Sequence, residues 1–171
     1  MTATPEDLFA RLDALGIRHV THRHPPVRTV AESVALRGAL PGLHCKSLFL
    51  ADRKGGLYLV VVPEAMRLDL GALARRLGAA RLSFAGAARM FEVLGVVPGA
   101  VTPFAVINLG AAGVVVVLDA ALLQADLLNY HPLVNTATTA LAPTDLLRFL
   151  AACGHPPRIL ALDALDRAGP A

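Results

Sequence analysis

The chain of 171 residues has no tryptophan, two tyrosines and two cysteines. So few cysteines exclude a disulfide framework, and Cys45 and Cys153 lack the Cys-x-x-Cys spacing that a cysteine-only zinc site needs. Buried free thiols are the expectation. No apolar run approaches the roughly 20 residues of a membrane-spanning helix; the most apolar stretch, Val114 to Leu123, is interrupted by Asp119. Met1 to Asp7 carries Glu6 and Asp7 with no basic region or apolar core, so a secretory leader is not read there and a cytoplasmic protein is expected. Two frequent hydrolase signatures, the Gly-x-Ser-x-Gly elbow and the phosphate-binding loop, are missing. The six histidines include no pair at helical spacing on a predicted helix and no matching carboxylate, so no metal site and no cofactor are expected.

What is present is a globular composition, 55% hydrophobic and 17% charged, in a length that suits one domain over residues 1–171. The net charge of +3 and pI near 9.3 fit a nucleic-acid partner but do not single one out. Of sixteen basic residues, lysine occurs only at 46 and 54, leaving fourteen arginines. Where arginine is so favoured, a lysine invites explanation. Lys54 stands in the turn Asp52-Arg53-Lys54-Gly55-Gly56, where any polar residue serves. Lys46 begins an apolar strand and has no such explanation.

The periodicities predict a helix from Pro5 to Leu15 stopped by Gly16, an extended segment from Ile17 to His24, and a helix from Thr29 to about Leu36 opened by a Thr29/Glu32 capping box. Cys45 to Ala51 and Leu57 to Val62 read as a hairpin. Asp69 caps a helix to Leu77, and Ala85 to Leu94 forms another, each followed by a stop glycine. Strands are expected at Phe104 to Asn108 and Gly113 to Leu118, then a short helix from Asp119, a long one from Thr144 and a last strand at Arg158 to Leu162. The order is too irregular for regular βαβ alternation, so the expectation is an α+β domain with a mixed, mostly antiparallel, partly barrel-like sheet flanked by helices.

Three segments could carry chemistry. Gly95-Val96-Val97-Pro98-Gly99-Ala100-Val101-Thr102-Pro103-Phe104 combines prolines, which stiffen the chain, with glycines, which let backbone approach a ligand closely. It is either a preset array of main-chain groups or a tight connection. Lys46 could hold a phosphate as a point charge, act as a neutral base, or be an edge lysine. His131, at a strand end before Pro132, could orient a hydroxyl or water, or simply cap the surface.

Taken in order, His24-Pro25-Pro26-Val27 with Thr29-Val30, Cys45-Lys46-Ser47-Leu48-Phe49-Leu50, Gly95-Val96-Val97-Pro98-Gly99 with Val101-Thr102-Pro103-Phe104, and Asn129, His131-Pro132 and Asn135-Thr136 resemble the YbaK/ProX-type trans-editing family. That family is related to the insertion domain of bacterial prolyl-tRNA synthetase. The likeness is greatest to free-standing alanyl-tRNA(Pro) deacylases and spans nearly the whole chain. It implies hydrolysis of the ester joining alanine to tRNA(Pro), with the tRNA acceptor end as partner, prolyl-tRNA synthetase as a further one, no membrane, and a monomer or weak homodimer. It further implies that Lys46 holds the phosphate or ribose of the terminal adenosine, that backbone from Gly95 to Pro98 serves the carbonyl and the water, and that His131 shapes the pocket. Ser47, Pro98, Gly99, Thr102, Pro103 and Thr29 are the implied substrate contacts. A ribose hydroxyl of the tRNA is taken to help activate the water. Two positions depart from the family pattern: Ser47 stands where alanyl deacylases commonly have asparagine, and Arg28 fills a slot that is often aromatic and is expected on tRNA phosphate. Arg75, Arg76, Arg81 and Arg89 are read as a backbone-contacting face or as a solvated one. A cysteinyl-tRNA deacylase of the same family and a non-catalytic tRNA-binding adaptor are the alternative functions.

Overall fold

The computed structural model describes residues 1–27 and 30–165. α1 (Pro5–Ala14) starts at Thr4, whose hydroxyl accepts the Asp7 N–H at 3.2 Å while the Asp7 carboxylate accepts the Thr4 N–H at 2.8 Å. Each contact satisfies a donor that a helix start leaves open. β1 (Val20–Arg23), α2 (Val30–Ala39), β2 (Leu43–Asp52) and β3 (Leu57–Pro63) follow, then α3 (Leu70–Leu77), β4 (Leu82–Phe84) and α4 (Ala87–Leu94). The second half holds β5 (Val114–Asp119), β6 (Leu128–Tyr130), β7 (Ala137–Leu141), α5 (Pro143–Ala152) and β8 (Arg158–Leu160).

The strands form one mixed sheet in the order β1-β7-β6-β2-β3-β5-β8, with β4 also on β2. β2 runs antiparallel to β3 and β4 but parallel to β6, and β3, β5 and β8 are parallel to one another. The path has two free ends and does not close into a barrel. Val60, Val61 and Val62 of β3 are fully buried because that strand is flanked by β2 and β5 and covered on both faces. On one face Leu8 and Leu12 of α1, Met90 and Leu94 of α4 and Phe149 of α5 pack against Leu59 and Val61; on the other, Leu73 and Leu77 of α3 pack against Val60 and Val62. Each such side chain contributes on the order of 1.5–3 kcal/mol by leaving water.

The predicted strand at Phe104 to Asn108 is instead a 3-10 helix, Pro103–Ile107. Thr102 caps it by accepting the Phe104 N–H at 3.3 Å, and Pro103 supplies the preset φ of a first helical position while lacking a ladder donor. Phe104 is then buried edge-on against Tyr130 and Phe149. The sequence reading also passed over β4 and β7. Thr29, proposed as the cap of α2, lies outside the described residues, as does Arg28. Among the described residues no helix is long and apolar enough to cross a membrane.

β2 changes partners along one of its edges. On the side away from β3, Leu43 and His44 pair with β6, and Leu50 to Asp52 pair with β4. Between them the sheet is split, and among the described residues no strand lies beside Lys46, Ser47 and Leu48 on that side.

Candidate active site

A cleft of about 300 Å³ opens at this split. Its lining comes from Cys45, Lys46 and Ser47 of β2, Asn129 and His131 at the end of β6, Gly99 and Val101 of the loop after α4, and Glu64 and Thr138. Strand alternation sends His44 and Lys46 to one face of β2 and Cys45 and Ser47 to the other. Both sets reach the cleft because this stretch of edge is open.

The geometry therefore joins Lys46, Ser47, Gly99 and His131, taken from three separate sequence segments. It does not bring in the rest of the implied set. Gly95 closes α4 with φ 68, gives its N–H to the Phe91 carbonyl at 2.9 Å, and packs so tightly that an added Cβ would meet Asn108 Nδ2 at 2.9 Å. Thr102 and Pro103 are buried at the start of the 3-10 helix. Pro98 is exposed and off the lining, but it shapes the cleft indirectly: the Ala100 N–H reaches the Val97 carbonyl at 3.0 Å, and Gly99 has φ 90. Proline at the second and a positive-φ glycine at the third place of a closed four-residue turn define type II. The Gly99 N–H makes no hydrogen bond among the described residues.

Arg75 and Arg76 are exposed on α3, Arg81 is exposed just before β4, and Arg89 is paired with Glu92 at 3.1 Å. None lines the cleft; Arg75 and Arg81 instead border a separate hollow with Asp69.

His131 is held by its Nδ1–H, which donates to the Ala137 carbonyl at 2.9 Å. A carbonyl can only accept, so in the neutral ring Nε2 is the acceptor. Burial pushes the pKa of His131 below the ordinary histidine value; the Ala137 carbonyl and Glu64 pull it up, whereas His24 and His44 push it further down. His24 stands 6.3 Å away, ring to ring, anchored to Thr138 Oγ1 at 2.8 Å. Among the described residues no three His, Cys, Asp or Glu side chains are grouped to hold a metal ion.

Cys45 is the one thiol in the cleft. Burial pushes its pKa up to about 11, only partly offset by the Tyr130 hydroxyl and the Asn129 backbone. A thiol so placed stays protonated at neutral pH and is a poor nucleophile. Cys45→Ser is accordingly expected to change the rate of any reaction in the cleft by less than about threefold, and Cys45 should resist iodoacetamide at pH 7 in the folded protein. Rapid alkylation of Cys45, read by mass spectrometry, would contradict the assignment.

Sequence reading missed Glu64. Its signal was the hairpin register: Cys45 opposes Pro63, so Glu64 lies across from His44, and its N–H reaches the His44 carbonyl at 3.0 Å. Counting from the turn would have put this acid on the Lys46 face.

The profile of a family described as "Aminoacyl-tRNA editing domain" matches residues 24–149. A Bos taurus protein named prolyl-tRNA synthetase associated domain-containing protein 1 is 40% identical over 161 residues, covering 91% of this chain and 94% of that one. The prolyl-tRNA editing protein ProX of Acetoanaerobium sticklandii is 36% identical over 149 residues, covering 86% and 91%. A solved structure described as a candidate trans-editing enzyme for prolyl tRNA synthetase superposes with a TM-score of 0.68 at 26% identity, covering 95% of this chain and 98% of that one.

Proposed function

The chain belongs to the aminoacyl-tRNA editing domain family, and we propose that it acts there as a free-standing hydrolase that removes alanine from mischarged tRNA(Pro). The observation that carries this reading is the meeting of Lys46, Gly99 and His131 in one small cleft at a split in the sheet. Relatives named for prolyl-tRNA editing and for association with prolyl-tRNA synthetase support the same substrate class.

In this reading Lys46 holds the phosphate or ribose of the terminal adenosine as a compact point charge. The free Gly99 N–H donates to the ester carbonyl oxygen, where negative charge grows as water adds. His131, neutral and with Nε2 as acceptor, orients the water or a ribose hydroxyl. Collapse of the tetrahedral adduct breaks the bond to the ribose oxygen, which takes up a proton, and alanine leaves as its carboxylate. The low volume of the cleft fits selection by size: a synthetase pocket shaped for proline admits the smaller alanine, and a tighter second pocket excludes proline by clash.

The state of His131 gives this mechanism a pH signature. Its depressed pKa keeps the ring neutral below pH 6.5, the ordinary histidine value, so kcat/KM should hold as pH falls through 6.5 and decline only at the lower folded-state pKa. A rate profile with its acid limb at or above 6.5 would contradict the role. The function itself is tested by incubating the protein with Ala-tRNA(Pro), Pro-tRNA(Pro) and Cys-tRNA(Pro). Faster loss of Cys-tRNA would indicate the cysteinyl deacylase, and binding without turnover the adaptor.

A further inference from the structure

Two residues that line the cleft beside β6 each carry a buried polar atom with no hydrogen-bond partner among the described residues: His44 Nε2 and Asn129 Oδ1. Asn129 is only 3% exposed, so this is not a surface amide that water routinely satisfies. Its orientation is settled chemically, because Nδ2 donates to the Pro41 carbonyl at 2.9 Å and leaves Oδ1 as the orphan acceptor. A buried polar group without a partner is costly enough that it calls for an explanation. Here the two orphans are neighbours: His44 and Asn129 are register partners across the parallel β2–β6 pair and so share a sheet face. Glu64, bonded through its N–H to the His44 carbonyl, is the only carboxylate on the cleft lining among the described residues. Tyr130, whose buried hydroxyl faces the Cys45 thiol, belongs to the opposite face and is not part of this group.

Two unfilled acceptors and a carboxylate together call for a small cation with several N–H donors. An aminoacyl ester carries one, its α-ammonium. We propose that His44, Asn129 and Glu64 form the amine subsite of the cleft, binding the protonated α-amine of the aminoacyl group. The inference rests on the deacylase reading and deepens it. His44 takes part as the Nδ1–H tautomer, with Nε2 accepting. A primary ammonium offers three N–H donors to three acceptors. The ring nitrogen of proline offers two and places a methylene where the third would go, so this subsite rejects correctly charged tRNA by hydrogen bonding in addition to size. Discrimination of this kind is steep, because a site built for N–H donors leaves its own polar groups unpaired when the wrong ligand enters.

The test compares Ala-tRNA with lactyl-tRNA, in which a hydroxyl replaces the amine. Because an α-ammonium also activates the ester in water, each rate is divided by that substrate's own rate in buffer. Acceleration of the alanyl ester should exceed that of the lactyl ester on the order of tenfold to a hundredfold. Glu64→Gln, which keeps shape and removes charge, should contract that ratio towards one. Calorimetry with the non-hydrolysable 3′-alanylamino-3′-deoxyadenosine and its 3′-lactylamino counterpart reads the same preference without turnover. Equal acceleration of both esters, a ratio unchanged in Glu64→Gln, or equal or absent binding of both analogues would overturn the subsite. Preferential binding of the alanylamino analogue with no acceleration of either ester would instead overturn the deacylase reading and leave the subsite standing.

Discussion

Replacing Lys46 with alanine is expected to lower kcat/KM for Ala-tRNA(Pro) on the order of a hundredfold, the worth of one charge-assisted contact to phosphate or ribose. The more discriminating variant is Lys46→Arg. It keeps the charge but exchanges a compact ammonium for a longer planar fork, and a cleft of about 300 Å³ leaves little room to reposition it. Arginine is therefore expected to recover less than a tenth of the loss. The chain uses arginine at fourteen of its sixteen basic positions, so tolerance at position 46 would return this lysine to the ordinary surface cations. Circular dichroism and thermal melting should show both variants folded, since Lys46 lies on the open edge of β2 and not in either core cluster.

The second large effect separates two glycines that look alike in sequence. Gly95 and Gly99 both have positive φ, 68 and 90, yet only Gly99 lines the cleft. Alanine at 95 combines left-handed strain with a 2.9 Å clash against Asn108, whose amide ties the end of α4 to the Ala3 N–H. A loss of about 2 kcal/mol is expected, a fall in Tm of roughly 4–8 °C for a chain of this size, with kcat/KM nearly intact. Alanine at 99 meets open space, its nearest neighbour being Asn135 Nδ2 at 3.9 Å, so the exposed turn can relax by flipping its central peptide to type I. If the Gly99 N–H serves the ester carbonyl as proposed, that flip turns it away from the substrate. Tm should hardly move while kcat falls by about 10²–10³, as when one oxyanion donor is removed. Reversal of this pattern, with activity lost at 95 and kept at 99, would move the carbonyl-binding group back to the head of the loop.

These two glycines also show how far the sequence could be read. The helix stop after Leu94 was legible because a glycine after an amphipathic run has a local cause, and the same holds for the Asp69 and Gly78 caps of α3. Resemblance assigned Gly95 to the site along with its neighbours, but nothing local distinguishes a glycine that caps a helix from one that faces a ligand. That difference arises from Asn108 and Thr2, distant in sequence and brought against Gly95 by folding. Phe104 to Asn108 read as a strand because apolar composition does not separate a buried strand from a buried 3-10 turn, and Thr102 and Pro103 decide the matter. β4 and β7 escaped notice because three and five residues give too little periodicity, and their place is set by pairing with β2, β6 and β1. Lys46 and His131 stood out by type and position. Glu64, His44 and the orphaned Oδ1 of Asn129 did not, because a partnerless polar atom is a property of the packed molecule.

The proposed activity is tested most directly by a deacylation time course with the purified protein, in which loss of alanine from Ala-tRNA(Pro) is followed beside Pro-tRNA(Pro) and a no-protein control. Alanine release far above the control, dependent on Lys46, is expected, with the prolyl ester left at its spontaneous rate. Alanine release no faster than in buffer would contradict it.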